Sequence, residues 1–241
     1  MAVNVDTVYQ KVLALANKEQ RGYITPQDFN LFANQAQLEV FEQYFYDLGK
    51  ARKVQGNDVY AADVDDIIEH KLNVFEVTAD PATVAAYPTF GKGKVLPSDV
   101  YRVLYVALGK GTLGKECEIL NARDYINNKL SPLTRPSVSF PIANIQKNVV
   151  KVNNGGTSDL APNSITYIKN PEKVNWTYVV VNKKAMYNAT TTTGHFELHQ
   201  SEEIQLVNKI LRLAGLAAQQ PDIMRAGGAM ESMTKQEQQK I

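Results

Sequence analysis

The densest run of apolar positions in the chain lies in residues 26–48, where the pattern predicts a long helix. Thr25 suits the N-cap of that helix, Pro26 suits its first turn, and Asp28 places a carboxylate beside the free backbone N–H groups. The apolar residues occupy more than one stripe, so a single core-facing side cannot cover them all. Such a helix is either buried in a large core or packed against another subunit, and in a chain of 241 residues we favour the second interpretation.

Helical spacing and end signals predict further helices near both ends of the chain. The first predicted helix has one apolar face, formed by Val5, Val8, Val12, Leu15 and Ala16. Gly22 suits the left-handed residue beyond the end of this helix. The predicted helices cover residues 5–20, 26–49, 63–72, 121–130, 202–215 and a C-terminal segment that begins at Pro221.

Runs of β-branched and aromatic residues predict strands in the middle of the chain. They cover residues 100–109, 116–120, 143–152, 164–169, 176–187 and 195–199. The run Asn153–Gly156 predicts the turn between the third and fourth of these strands.

These elements predict an α+β fold. We expect an N-terminal helical hairpin and C-terminal helices packed together, with an inserted, mainly antiparallel β subdomain. The expected domains are residues 1–72 with 200–241, which form the helical domain, and residues 73–199, which form the β-rich one.

Composition narrows the functional classes. The chain has 26 Lys and Arg against 25 Asp and Glu, for a formal net charge of +1. That balance argues against a dedicated duplex-DNA binder, although a ring in which only the inner wall is charged stays open. Cys117 is the only cysteine, so no intrachain disulfide can form. With no signal-like N-terminus and no apolar run near ~20 residues, we expect a soluble protein without membrane contact.

One phosphate-loop pattern is present, Gly109–Lys115, which follows a predicted strand. Its next residue is Glu116, where a phosphate loop needs Ser or Thr for the magnesium ion, and a carboxylate there would repel phosphates. No helix follows to direct its N-terminus at an anion. We interpret the segment as a hairpin turn and expect no nucleotide or other cofactor.

Other polar patterns also favour structural interpretations. His195 and His199 resemble a zinc motif, but four residues of extended chain place them roughly 13 Å apart, too far for one metal. The acidic run Asp63–Asp66 lacks the glycine and final Glu of a calcium loop, so a solvated helix face is expected. Cys117 is interpreted as an inert small side chain. The sequence therefore predicts no metal site, no catalytic residue and no enzyme.

Two segments carry a resemblance to a known family. They are residues 17–42, with the run NKEQRGYITPQDFN, and residues 199–223, HQSEEIQLVNKILRLAGLAAQQPDI. Both resemble head–tail connector proteins, the ring or adaptor proteins of short-tailed bacteriophages of the crAss-like type. The resemblance implies a virion structural protein in the neck, assembled in the host cytoplasm. It implies a closed ring, typically of twelve copies, that contacts the portal protein and adjacent tail rings and forms part of the DNA exit channel.

Contact residues can be assigned under this hypothesis. Candidate subunit or portal contacts lie on the second helix and the C-terminal segment: Phe32, Phe41, Phe45, Ile223, Met230 and Met233. Candidate channel charges that meet packaged DNA transiently and non-specifically are Lys50, Arg52 and Lys53. Two alternatives stay open: a tail or capsid accessory protein with an adhesive β module, and a degenerate nucleotide-binding enzyme that uses residues 109–115.

Overall fold

The computed structural model describes residues 2–17, 24–51, 59–109, 114–182, 184–192, 194–217, 225 and 228–233. The fold is α+β, with helices toward both ends of the chain and a β region between them. Two compact units are present, a helical unit formed by Met1–Val74 and Pro171–Ile241, and a β unit formed by Phe75–Asn170.

The elements are numbered in chain order. The helices are α1 (Val5–Asn17), α2 (Pro26–Ala51), α3 (Val59–Leu72), α4 (Pro81–Ala86), α5 (Ala122–Leu130) and α6 (Glu203–Ala217). The strands are β1 (Ala2–Val3), β2 (Glu76–Ala79), β3 (Thr89–Phe90), β4 (Gly93–Val95), β5 (Val100–Leu108), β6 (Lys115–Glu116), β7 (Glu118–Leu120), β8 (Ile142–Gln146), β9 (Val149–Asn153), β10 (Ser164–Lys169), β11 (Tyr178–Val181), β12 (Lys184–Tyr187) and β13 (Phe196–His199). Residues 228–233 are also helical.

The helical unit is organised around α6, which packs against both α1 and α2. The predicted N-cap of α2 is confirmed, because Thr25 Oγ1 accepts a hydrogen bond from the Asp28 N–H at 3.2 Å. Of the predicted face of α1, Val5, Val8, Val12 and Ala16 are buried, whereas Leu15 is 38% exposed. The core of the unit also contains large side chains from α2, α6 and β13: Phe29, Phe41, Leu206, Ile210, Phe196 and Leu198. The predicted turn with Gly22, and residues 18–20 of the first predicted helix, lie outside the described residues.

A row of amide side chains on α2 holds an extended segment of the same unit. Asn34 Oδ1 accepts from the Val174 N–H at 2.8 Å, and Asn34 Nδ2 donates to the Val174 carbonyl at 2.9 Å. Asn30 forms the same pair of bonds with the Trp176 backbone at 2.8 and 3.2 Å. Asn30 and Asn34 are four residues apart on the helix, a rise of about 6 Å. Val174 and Trp176 are two residues apart in extended chain, a separation of about 6.6 Å, so each asparagine lies beside one backbone group. The amide row therefore acts as the hydrogen-bonding edge of a strand.

This amide row explains why the domain boundary differs from the prediction. Residues 73–199 were expected to form the β-rich domain, but Pro171–His199 belongs to the helical unit. The hydrogen bonds from α2 attach the start of this segment, and β13 pairs with β1 beside α1. The sequence pattern placed the boundary where predicted strands give way to a predicted helix. The compact units are instead defined by contacts between residues, and residues 171–199 make theirs with the helices.

The described residues of the β unit form two sheets. One has the order β2–β10–β5–β6 and is antiparallel, and the other has the order β3–β4–β9–β8–β7, in which β7 and β8 are parallel. Val106, Ile165, Val150 and Val152, from both sheets, share one core with Tyr167. Apart from β7 and β8, all the strand pairs in these two sheets are antiparallel, so the prediction of a mainly antiparallel β region is confirmed.

Two predicted strands are hairpins instead. Residues 143–152 contain a turn at Lys147 and Asn148, whose φ angles are 49° and 61°, as a two-residue type I′ turn requires. The bend at Asn153–Gly156 lies between β9 and β10, so its position between residues 143–152 and 164–169 is as predicted. Residues 176–187 likewise divide into β11 and β12, beside Asn182 at φ 50°. In both cases a non-glycine residue takes the left-handed conformation, so the usual glycine signal is missing.

Candidate interaction surfaces

The predicted contact residues of α2 do not form one exposed surface. Phe41 is 0% exposed and belongs to the core of its own subunit, so the prediction that it contacts another chain is wrong. Phe32 and Phe45 are half-buried, and the Phe45 ring packs edge-on against Phe41 at 5.1 Å. The fold covers most of the surplus apolar surface of α2 because α3 and α6 both pack on that helix. Leu31 and Tyr46 remain exposed.

The C-terminal segment is attached to the helical unit by a buried ionic group. Glu231 is 5% exposed, and its carboxylate lies 2.9 Å from Arg212 Nη1 and 3.4 Å from Lys209 Nζ, both on α6. Glu39 of α2 meets the same two cations, at 3.0 Å from Arg212 and 3.6 Å from Lys209. The two carboxylates balance the two cations, which is a condition for burying Lys209.

The predicted contact residues of this segment lie around that anchor. Met230 and Met233 are exposed, whereas Ile223 lies outside the described residues. Of the predicted channel charges, Lys50 is exposed near the end of α2, and Arg52 and Lys53 lie outside the described residues.

The β unit carries an apolar surface that the sequence pattern did not identify. It begins on α5 and continues along the irregular connection to β8, and we call it the α5–β8 surface. Its members are large, exposed and close in sequence: Ile126, Leu130, Leu133, Val138 and Phe140. Leu133 is 93% exposed and Phe140 is 78% exposed. Five large apolar side chains exposed within 15 consecutive residues indicate an interaction surface more strongly than single exposed side chains do.

Backbone and side-chain hydrogen bonds fix the connection that carries these apolar groups. Ser131 Oγ accepts from the Leu133 and Thr134 N–H groups, each at 3.3 Å. Ser137 and Phe140 exchange backbone hydrogen bonds at 3.1 and 3.2 Å. An apolar side chain on an ordered segment loses less conformational freedom on binding, so this surface is pre-organised for a partner.

A polar cluster around Asp159 ties the end of α5 to the loop after β9. Asp159 Oδ1 accepts hydrogen bonds from Tyr125 Oη at 2.9 Å, Lys129 Nζ at 2.8 Å and Asn153 Nδ2 at 3.2 Å. Burial opposes ionisation of this carboxyl group, but the bonds from Lys129, Asn153 and Tyr125 outweigh it and hold the pKa of Asp159 below its ordinary value. Burial and the neighbouring Asp159 both raise the pKa of Tyr125. The cluster therefore contains a carboxylate and a neutral phenol at neutral pH.

The helical unit carries a second apolar surface on the hairpin of β11 and β12, which we call the β11–β12 arm. All four β11 residues are exposed, Val180 by 63%, and Met186 on β12 is exposed as well. In the described part of the chain this hairpin forms a sheet of its own. A two-stranded hairpin is only marginally stable in water unless other groups pack on it.

Aromatic contacts hold the base of this arm. Tyr178 and Tyr187 face each other across the two strands, and the Trp176 ring stacks on both, with centroids 5.8 and 5.9 Å away. Trp176 is itself fixed by Tyr9 of α1 at 4.1 Å and by a 3.0 Å hydrogen bond from Nε1 to Asp6. The arm is thus anchored at one end, while Val179, Val181 and Met186 remain exposed.

The phosphate-loop pattern, Gly109–Lys115, joins two adjacent antiparallel strands, and its residues 110–113 lie outside the described part of the chain. Leu108 of β5 pairs with Lys115 of β6 across it, and an antiparallel strand follows the pattern in place of a helix. Cys117 is buried beside β6, and burial, with Glu116 nearby, raises the pKa of its thiol to about 11. This thiol is therefore protonated at neutral pH and has little nucleophilic character.

The histidine pair lies in extended chain, as predicted, with His199 at the end of β13. His199 lines one shallow recess of about 500 Å³ together with Asp66 and His70 of α3. Within the described ranges, no group of three metal-binding side chains is placed to hold an ion. Among those same residues, no helix is both long and apolar enough to cross a bilayer.

Two sequence signals point to the features that the predictions missed. Amide side chains recur at residues 30, 34 and 37, one helical face of α2, and mark the polar row within an apolar helix. Leu133, Val138 and Phe140 lie between prolines in the segment 132–141, where no periodicity assigns them to a core. Apolar residues in a proline-rich connection are therefore the signal for the α5–β8 surface. A scan of protein-family models finds no match to the chain, and a search of the curated proteins finds none either.

Proposed function

We propose that this chain is a structural, non-enzymatic subunit of a closed ring in the neck of a short-tailed bacteriophage. As a head-to-tail connector it would dock to the portal protein or an adjacent tail ring and form part of the DNA exit channel. The resemblance of residues 17–42 and 199–223 to connector proteins supports the family, and the two exposed apolar surfaces support assembly.

The observation that carries the proposal is that one subunit has two different apolar surfaces. The α5–β8 surface belongs to the β unit, and the β11–β12 arm belongs to the helical unit. A cyclic ring is closed by a heterologous interface, in which one surface of each subunit meets a different surface of the next. Two non-identical surfaces on one chain satisfy that requirement, whereas a two-fold dimer needs only one.

The size of the α5–β8 surface indicates a weak contact for each pair of subunits. Full burial of one large apolar side chain contributes roughly 1.5–3 kcal/mol. Scaled by their exposed fractions, the five side chains supply roughly 6–11 kcal/mol, and association costs about 4–15 kcal/mol. One interface of this size gives a weak dimer, while ring closure makes the last contact intramolecular and strengthens the whole assembly. A portal ring that binds the subunits would favour assembly in the same way.

Native mass spectrometry tests the proposal on the full chain, alone and with a candidate portal protein. We expect a single closed oligomer, and we expect the double variant Leu133→Asp/Phe140→Asp to remain monomeric. Both residues are exposed in the subunit, so the variant should keep the fold and its circular dichroism spectrum. Ile204→Asp is a control, because it places an aspartate on another exposed apolar position, at the start of α6, and it should assemble normally.

The results separate this proposal from the alternatives. A chain that stays monomeric at every concentration and with the portal protein contradicts the connector role. Assembly that ignores the portal protein but requires Leu133 and Phe140 would favour an accessory virion protein instead. Turnover of a small molecule by the monomer would refute a purely structural role.

A further inference from the structure

One sheet of the β unit has a face that the core does not use. Along β9, Val150 and Val152 point into the core between the two sheets, so Val149 and Lys151 lie on the opposite face. Lys151 is directly opposite Asn144 of β8, and Val149 is opposite Gln146. Asn144 and Asn153 are buried at one end of this face, whereas Gln146, Val149 and Lys151 line a recess at the other end.

The recess combines an aromatic ring with two cations. It has a volume of about 440 Å³ and is lined by Phe90, Gln146, Lys147, Val149 and Lys151. Phe90 is 68% exposed, which is unusual for a phenylalanine on a strand. Phe90 pairs with Gly93 of β4, and a Cβ atom at Gly93 would overlap the side chains of Val149 and Lys151. Glycine at this position therefore lets the β3–β4 hairpin, and Phe90 with it, lie close against β9.

The two hairpins that form the recess carry charge of one sign. The β3–β4 hairpin, residues 89–95, and the β8–β9 hairpin, residues 142–153, contain four lysines and no Asp or Glu. Lys94 is engaged by the carbonyl groups of Ala85 and Tyr87 at 2.9 and 3.1 Å, so it acts structurally. Lys92 is exposed beside the recess, and Lys147 and Lys151 line it. A nearly neutral chain thus concentrates positive charge at one place.

We propose that this sheet face binds single-stranded nucleic acid. Lys147 and Lys151 are placed to contact phosphate groups, and the exposed Phe90 ring provides a surface on which an unpaired base can stack. A flat sheet face with an aromatic ring and flanking cations is a common arrangement for binding unpaired nucleotides. A duplex keeps its bases stacked on each other, so Phe90 can discriminate a single strand from a duplex. The volume of the recess matches a small-ligand site of roughly 300–1,000 Å³.

Fluorescence anisotropy of a labelled oligothymidylate of about 12 nucleotides, with the full-length chain in low salt, tests this site. Stacking of one base contributes roughly 1–3 kcal/mol, so Phe90→Ala should weaken binding at least about fivefold. Phe90→Trp should retain or strengthen binding, and the oligonucleotide should quench the fluorescence of the new tryptophan. Each single-strand phosphate contact adds ~0.7 to the slope of log K against log salt, so Lys147→Gln/Lys151→Gln should lower that slope by about 1.4.

Matched controls isolate the recess from general charge and hydrophobicity. Tyr101→Ala removes an exposed aromatic ring from β5 in the other sheet, and Lys173→Gln removes an exposed lysine from the helical unit. Both should bind like the unmodified chain. Equal affinity of Phe90→Ala and the unmodified chain, tighter binding to a duplex, or no saturable binding in low salt would each overturn the proposal. The recess shares no residue with the two assembly surfaces, so a negative result here leaves the ring proposal standing.

Discussion

The amide row on α2 allows a stability prediction that can be calculated from contacts. In Asn34→Ala, Val174 loses both hydrogen-bonding partners of its backbone, the acceptor for its N–H and the donor to its carbonyl. Val174 is 2% exposed, so water cannot replace those partners without opening the segment. A buried polar group without a partner costs roughly 1–3 kcal/mol, which gives about 2–6 kcal/mol for the two groups. The higher helix propensity of alanine returns up to about 0.7 kcal/mol.

We therefore expect Asn34→Ala to lower the free energy of unfolding by about 1–5 kcal/mol. Urea denaturation followed by tryptophan fluorescence is the direct assay, because Trp176 is the only tryptophan and lies two residues after Val174. Hydrogen exchange should also show faster exchange of the Val174 amide, with the amides inside α6 less affected.

Gln35→Ala is the matched control for this prediction. Gln35 is the next residue on α2, is also an amide, and is exposed, with one 3.2 Å bond to Glu39. Its removal should change stability by no more than about 0.5 kcal/mol. If Asn34→Ala and Gln35→Ala have the same free energy of unfolding, the amide row does not hold residues 172–176 and the reasoning is wrong.

Three further predictions concern buried charge, backbone conformation and pH. Glu231→Gln leaves Lys209 with only the more distant carboxylate of Glu39. Thermal denaturation should therefore show a decrease of roughly 1–3 kcal/mol in the free energy of unfolding. An unchanged free energy of unfolding would mean that this ionic group does not anchor the C-terminal segment. Gly155 has a φ of 91°, and a Cβ atom there would overlap the Pro136 carbonyl oxygen, so Gly155→Ala should destabilise the chain by more than about 2 kcal/mol. Gly91 also has a positive φ, but a Cβ atom there meets no other atom, so the control Gly91→Ala should cost only about 1 kcal/mol. The pKa of Asp159 is lower in the folded state, so its stabilisation is present above the ordinary value of 3.8 and is lost as the pH falls through the folded value. An acid titration should show this loss in the unmodified chain and not in Asp159→Asn.

Local signals determined much of the secondary structure. Thr25 with Asp28, and Asn121 with Asp124, place side-chain acceptors at helix starts, and the structure has both caps. Such signals work because each involves residues three positions apart, so no distant part of the chain changes them. The apolar face of α1 was also correct at Val5, Val8 and Val12, since its spacing matches one side of a helix.

Long-range contacts decided where the sequence interpretation failed. Phe41 was assigned to an interface because α2 has apolar residues on more than one stripe, yet α3 and α6 of the same chain cover that helix. The hairpin turns at Lys147–Asn148 and Asn182 lack glycine, so only the strand pairing reveals them. The candidate recess around Phe90 depends on β3, β4 and β9, which the sequence brings together only through sheet pairing.

The sequence by itself therefore determined the class of fold, the N-caps of α2 and α5 and the near-neutral charge, because these depend on residue types and short spacings. It placed the start of α3 at residue 63 instead of Val59 and did not predict α4. Only the tertiary structure decided which apolar side chains remain exposed, where the units divide, and which lysines surround an aromatic ring. Whether a side chain is buried depends on which other element packs against it, and that element is often far away in the sequence. The periodicity of a single helix shows that a face is apolar, but it does not show which element, or which molecule, covers that face.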